Sequence, residues 1–210
     1  MTPTALGFRR TVLVFVAALA AGCAGSTPPP QPKDSAKSTE KTILGPGPAV
    51  DPDDAAEAAA KSVGPRATAV PIETERTRKY LKAHRLFEVS NKTDEGVQQW
   101  KRVVVDGEGR VFQGQATFSV PAKEKIAITD ERTAREVGAL LTDLVQPGNS
   151  VFEAAADKLE REKRYDVVVV AMTGGARYGH SETFRWTFSL TPSGEILFHY
   201  RSPIVLPKGG

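Results

Sequence analysis

Only a few places in this sequence bring together side chains that could do chemistry. Gly179-His180-Ser181-Glu182 sets an imidazole, a hydroxyl and a carboxylate side by side. A nucleophile elbow needs a closing glycine and a strand–turn–helix setting, and this stretch has neither. Neighbouring residues on a strand point to opposite faces, so His180 and Ser181 make no base–nucleophile pair there. Phosphate-loop spacing is absent. Gly107-x-Gly109 sits in a hairpin, and the next element after Thr173-Gly174-Gly175 reads as a strand, so no helix N-terminus follows to receive an anion.

A zinc site from His180, Glu182 and His199 fails on strand parity. The last two strands alternate strongly: Phe184, Trp186, Phe188 and Leu190, then Ile196, Phe198 and Tyr200 after Thr191-Pro192-Ser193-Gly194. If both aromatic faces coincide, Phe188 lies opposite Phe198 and Trp186 opposite Tyr200. His199 then falls beside Thr187, on the other face from His180 and over about 20 Å away at about 3.3 Å per residue. No metal or other cofactor is expected.

The same register makes Arg185 and Arg201 direct neighbours, beside Thr187, Ser189 and His199. Like charges so placed are unfavourable by some tenths of a kcal/mol. Either the two side chains splay into solvent, or Asp166 lies between them, or Arg185, Arg201, His199 and Thr187 form a cationic surface for an anionic partner.

The elements that would carry these residues begin near Ile72. Glu73 to Arg85 reads as a charged helix, with His84 as one of its polar positions, and a strand from Leu86 to Ser90 follows. Val97–Val105 and Arg110–Val120 form a hairpin with Gly109 left-handed, pairing Val104 with Phe112 and Trp100 with Ala116. Asp130 or Thr129 caps a helix to Val145 whose inner face is Ala134, Val137, Leu141, Leu144 and Val145. Ser150-x-x-Glu153 reads as the capping box of a second helix, with Phe152 inward. Asp166–Met172 is apolar on both faces and reads as a central strand. The expected fold is α+β in the order α-βββ-αα-βββ: a largely antiparallel sheet of about six strands, with two to three helices on one face. Residues 72–207 make up this single domain.

Composition bounds the rest. Of 210 residues, 40% are hydrophobic and 25% charged, as in a soluble globular chain. The 28 Lys and Arg against 25 Asp and Glu give +3. Arg9 and Arg10 contribute two of those charges and lie in the leader described next, so no basic nucleic-acid-binding face is indicated. One cysteine excludes an internal disulfide and any CxxC centre.

That cysteine is the most informative residue. Arg9-Arg10 precede an uncharged apolar run from Thr11 to Ala21, too short to span a bilayer, which takes about 20 helical residues. The run ends in Leu19-Ala20-Ala21-Gly22-Cys23, which resembles the lipobox of bacterial lipoprotein signal peptides. The resemblance covers about the first 25 residues and implies that 1–22 are removed and that Cys23 carries the lipid. Ala24, where aspartate would signal retention, implies sorting to the outer membrane, with the domain facing the periplasm. Multiple acyl chains, at about 0.8 kcal/mol per buried CH₂, would hold durably. Plain secretion, with Ala18-Leu19-Ala20 as the cleavage site, is the other reading.

Residues 23–71 read as a tether. Six of the 15 prolines lie in 24–49, and no aromatic residue occurs between Phe15 and Tyr80. These 26 residues reach at most about 90 Å at about 3.4 Å each. A short alanine helix over 52–62, capped by Asp51 with Pro52 at its first turn, is expected to dock weakly or not at all. The functional expectation is a membrane-anchored envelope lipoprotein that binds, assists or inhibits an envelope protein or anionic polymer without catalysis. The alternative is an envelope hydrolase assembled from distant residues such as His180, Glu182, Asp166 and His199.

Overall fold

The computed structural model describes residues 50–175 and 178–204. The leader, Cys23 and most of the tether lie outside them. Their elements are α1 (Pro52–Lys61), β1 (Thr68–Pro71), α2 (Glu75–Tyr80), β2 (His84–Lys92), β3 (Gln98–Asp106), β4 (Val111–Gln113), α3 (Val120–Lys123), α4 (Glu131–Val145), β5 (Ser150–Leu159), β6 (Arg164–Gly175), β7 (His180–Leu190) and β8 (Ile196–Pro203). The class is α+β and all strand pairing is antiparallel, but eight strands form two four-stranded sheets rather than six forming one. Sheet A has the order β1-β2-β3-β4 and sheet B the order β5-β6-β7-β8.

Sheet A is covered on both faces. Leu86 and Val104 join the main core, where they meet α4 and the inner face of sheet B. Phe87, Val89, Val103 and Val105 point the other way and pack under α1. The helices therefore lie on opposite faces of sheet A, not on one. Asp51 accepts the Asp53 N–H at 2.9 Å and Pro52 opens α1, as its sequence predicts. The docking expectation fails: Ala55 and Ala59 are 1% and 0% exposed. Alanine suffices because its small side chain lets the helix backbone approach a flat patch of valines. α1 and β1, both inside the expected tether, are therefore part of the packed fold, and β1 pairs with β2 from Thr68↔Ser90 to Pro71↔Phe87.

α4 is the central helix. Asp130 accepts the Thr133 N–H at 2.7 Å, and Ala134, Val137, Leu140, Leu141 and Leu144 are buried along one stripe. Gly138 lets the helix settle onto β6: a Cβ there would stand 2.6 Å from Val167 Cγ1. Across the layer, Val167, Val169, Ala171, Phe184, Trp186, Phe188 and Leu190 supply the inner face of sheet B. β6 is an interior strand, as its sequence suggests, but only one face is buried; Val168 on the other is 36% exposed.

Three local readings are overturned. The helix expected over 73–85 ends at Tyr80, and His84 instead opens β2. The hairpin keeps Val104 opposite Phe112, with Gly109 left-handed at φ +80°, but β4 stops at Gln113 and a 3-10 turn takes Gly114–Ser119. Trp100 therefore faces Ser90 rather than Ala116, and its ring meets Tyr178 edge-on at 5.1 Å. The second helix does not form: Ser150–Leu159 is β5, paired along β6. Its alanines favour a helix by about 1 kcal/mol or less each, and pairing with a valine-rich strand outweighs that. A bulge between Val151 and Glu153 turns Phe152 outward, 62% exposed, so it is no core residue.

Buried polar clamps tie the layers together. Glu88 accepts the Tyr178 hydroxyl at 2.9 Å and the Gly148 N–H at 3.3 Å, and Arg102 lies 3.3 Å away. Arg76 donates to Asp143 at 2.8 Å, and Asn149 donates to the same carboxylate at 2.6 Å. A buried charge left without its partner costs several kcal/mol, so these pairs fix how the strands and loops meet.

Candidate functional site

The hairpin of β7 and β8 carries the residues singled out above, and one inserted residue rearranges them. β8 pairs as Leu190↔Ile196 and then Ser189↔Phe198, leaving Leu197 unmatched as a bulge. Because side chains alternate with a period of two, a slip of one residue turns every later side chain of β8 to the opposite face. The observed partners are Phe188↔His199, Thr187↔Tyr200, Trp186↔Arg201 and Arg185↔Ser202. The expected register, with Arg185 opposite Arg201 and His199 beside Thr187, does not occur.

The four candidates separate into pairs. Arg201 and His199 join the aromatic inner face. The Arg201 guanidinium carbon sits 3.4 Å from the Phe184 ring centroid and 5.7 Å from that of Trp186. Loss of hydration in that position pulls the group below its ordinary pKa, while Glu182 opposes the shift. The His199 ring lies 4.6 Å from Phe118, which meets Trp186 and Phe188 edge-on, and those two rings stack at 5.6 Å with 4° between their planes.

Arg185 and Thr187 stay on the outer face, in a different company. The rows across sheet B there read Ala155, Val168, Thr187, Tyr200 and Glu153, Val170, Arg185, Ser202. Phe198 and Tyr200, expected in the core, are 55% and 58% exposed. No described element covers this face. Asp166 is not between two arginines: it accepts the Ser189 hydroxyl at 2.6 Å and pairs with Arg164 at 3.2 Å.

The distant residues considered for hydrolysis are not assembled either. Asp166 lies on the outer face and His199 on the inner one. Glu182 pairs with Thr173 near the far end of β7, six residues or about 20 Å along the strand from Phe188. His180 begins β7, and its side chain lies outside the described part. Among the described residues no three His, Cys, Asp or Glu side chains gather as a metal-holding group. No described helix is long and apolar enough to cross a membrane.

A second place was missed in the sequence. At the end of sheet A where β2 begins, a cleft of about 680 Å³ opens between α2, β2 and the β3–β4 turn. His84 lines it with its side chain 5% exposed and donates from Nδ1 to Glu124 Oε1 at 2.7 Å. Glu124 also accepts the Ala83 N–H at 2.9 Å. Burial alone would raise this carboxyl, but the bonds from His84 and the Lys82 and Ala83 amides outweigh burial and hold it below the usual carboxylate range. An ionised Glu124 fixes the imidazole as the Nδ1–H form. Nε2 is buried and has no hydrogen-bond partner.

On the same lining, Asp106 accepts Arg110 Nε at 2.6 Å and the Glu108 and Arg110 amides at 2.9 Å. Desolvation pushes Asp106 up, and these bonds more than reverse it. Only the alternation His84-x-Leu86-x-Glu88 hinted that His84 belonged to a strand, and nothing local pointed to Glu124, 40 residues away. No protein-family model, curated protein or solved structure matches this chain.

Proposed function

We propose that this chain is a lipid-anchored binding protein of the bacterial cell envelope, docking an envelope protein on the open face of sheet B without catalysing a reaction. The lipobox-like run ending at Cys23 supports the anchor and its covalent lipid. Ala24 supports placement at the outer membrane, facing the periplasm. The observation that carries the docking surface is the exposure of Phe198, Tyr200 and Val168 around Arg185 on one face of sheet B. Aromatic residues with arginine are the composition of interface hot spots, and monomeric domains rarely leave such side chains together in water. Because apolar surface outweighs charge there, a folded protein fits it better than an anionic polymer.

The test is photo-cross-linking in intact cells from a reactive residue placed at 168, with captured proteins identified. Tyr200→Ala and Arg185→Ala should each reduce capture of a defined partner while the domain keeps its melting temperature. Arg201→Ala, on the other side of the sheet, should leave capture unchanged. Full capture by the Tyr200→Ala, Arg185→Ala double variant would refute the surface. Cys23→Ser tests the anchor separately: retention of membrane attachment and of the acylated mass in that variant would refute lipidation.

A further inference from the structure

We propose that the cleft beside His84 is a binding site for a small oxyanion carried on an apolar body, such as an alkyl phosphate or the phosphate end of a lipid. The site is independent of the docking face on sheet B.

Three observations lead to it. The first is concavity: about 680 Å³ lies within the range of cavities that take small molecules. Its wall includes Ile72, Leu81 and the buried Leu86, so an apolar body has somewhere to leave water.

The second is the charge balance. Arg78, Lys82, Arg85 and Lys123 line the cleft, and none makes an ion pair with a described carboxylate. The other acids nearby are committed: Asp106 and Glu108 to Arg110, and Glu124 to His84. With Arg110 set against Asp106 and Glu108, the lining carries five cations against three acids, a net charge of +2. Arg85, next to His84 on β2, points to the other face of the strand, so Arg78, Lys82 and Lys123 are the cations that share the His84 side, and an anion there offsets their charge. Lys82 is already held at the rim, its ammonium donating to the Arg78 carbonyl at 2.7 Å.

The third is His84. A buried nitrogen without a partner forfeits hydration, and such atoms cluster where a ligand or a movable wall completes the site. With Nδ1 donating to Glu124, Nε2 is left as an acceptor for a ligand hydroxyl, such as the P–OH of a monoprotonated phosphate ester. Ala83 and His84 are locked by the same carboxylate, so the floor of the cleft is held before any ligand arrives.

The experiment uses the full chain carrying Cys23→Ser, so that no acyl chain competes for membranes. Calorimetry is run with octyl phosphate, inorganic phosphate and octanol, and sedimentation with vesicles of phosphatidylcholine containing phosphatidylglycerol. Octyl phosphate should bind with a Kd below about 1 mM, at least about tenfold tighter than either fragment probe, and weaken as salt rises. Binding should shift the His84 ring resonances in NMR spectra. Arg78→Ala with Lys82→Ala, both exposed, should cut the affinity at least about tenfold without lowering the melting temperature.

Vesicle binding lost in the same double variant would name a membrane lipid as the source. Octyl phosphate binding with no vesicle binding would name a soluble amphiphile. The inference is overturned if octyl phosphate fails to bind. It is also overturned if the double variant binds as tightly as the parent, or if vesicles capture the chain while octyl phosphate neither binds nor moves His84.

Discussion

Replacing Ala59 with aspartate tests whether α1 is part of the folded domain. Ala59 faces Val89, Val103 and Val105 with no exposure, so a carboxylate there has no water and no partner. Leaving it docked would cost several kcal/mol. The helix has a cheaper way out, which is to leave the sheet, so the cost cannot exceed the free energy of docking. Undocking would uncover one side of Phe87, Val89, Val103 and Val105, each now 2% exposed or less. Full burial of such a side chain is worth about 1.5–3 kcal/mol, and half of that for four side chains is about 3–6 kcal/mol. Ordering entropy recovered by a freed helix lowers the net figure to about 2–4 kcal/mol. Urea unfolding followed by far-ultraviolet circular dichroism reads the change in midpoint. The m-value should fall too, because an undocked native state has less surface left to expose. Glu57→Asp, on the exposed side of α1, is the control and should change little. A midpoint for Ala59→Asp equivalent to within about 0.5 kcal/mol of the parent would refute the docking and restore an unattached alanine helix.

Gly138→Ala should destabilise by about 1–3 kcal/mol, measured by the same urea titration, because its Cβ would meet Val167 at 2.6 Å and Val169 at 3.2 Å. Lys125→Gly should stabilise by up to about 1 kcal/mol, since Lys125 holds φ +54° just after α3, at a place where glycine has no steric cost. Glu124 has its carboxyl held below the usual range in the fold, so it adds stability at neutral pH that is lost as pH falls from the unfolded value of about 4.3 through the lower folded one. Thermal melts between about pH 6 and 3 should show a shallower acid-side loss for Glu124→Gln than for the parent.

Legibility in the sequence followed the reach of the determining contacts. α4 was plain because its stripe from Ala134 to Leu144 and its Asp130 cap are local facts. The alternation of β7 was equally plain, and Phe184, Trp186, Phe188 and Leu190 do face the core. β8 looked just as regular, yet the unmatched Leu197 reverses it. A bulge leaves the alternation intact and changes only where it points, so periodicity cannot reveal it. β5 was misread because alanine-rich sequence is helical by local preference, and the valines of β6 that recruit it follow only later in the chain. The cationic pair failed with the register on which it was built. His84 was hidden by a partner brought to it through tertiary folding.

The way the chain enters the domain has a mechanical consequence. Among the described residues, tension from the N-terminal side would meet the hydrogen bond from the Val50 N–H to the Gly107 carbonyl at 3.1 Å, and then the alanine seam of α1. Such a seam peels turn by turn, whereas an antiparallel ladder pulled along its strands must shear many bonds at once. Under load the outermost layer would yield while α4 and sheet B kept their packing. What comes into view is the valine face of sheet A, together with the wall of the cleft to which Val50 and Ala55 belong. A domain built this way meets a pull with a partial opening at a place set by two alanines, long before its main core bears the strain.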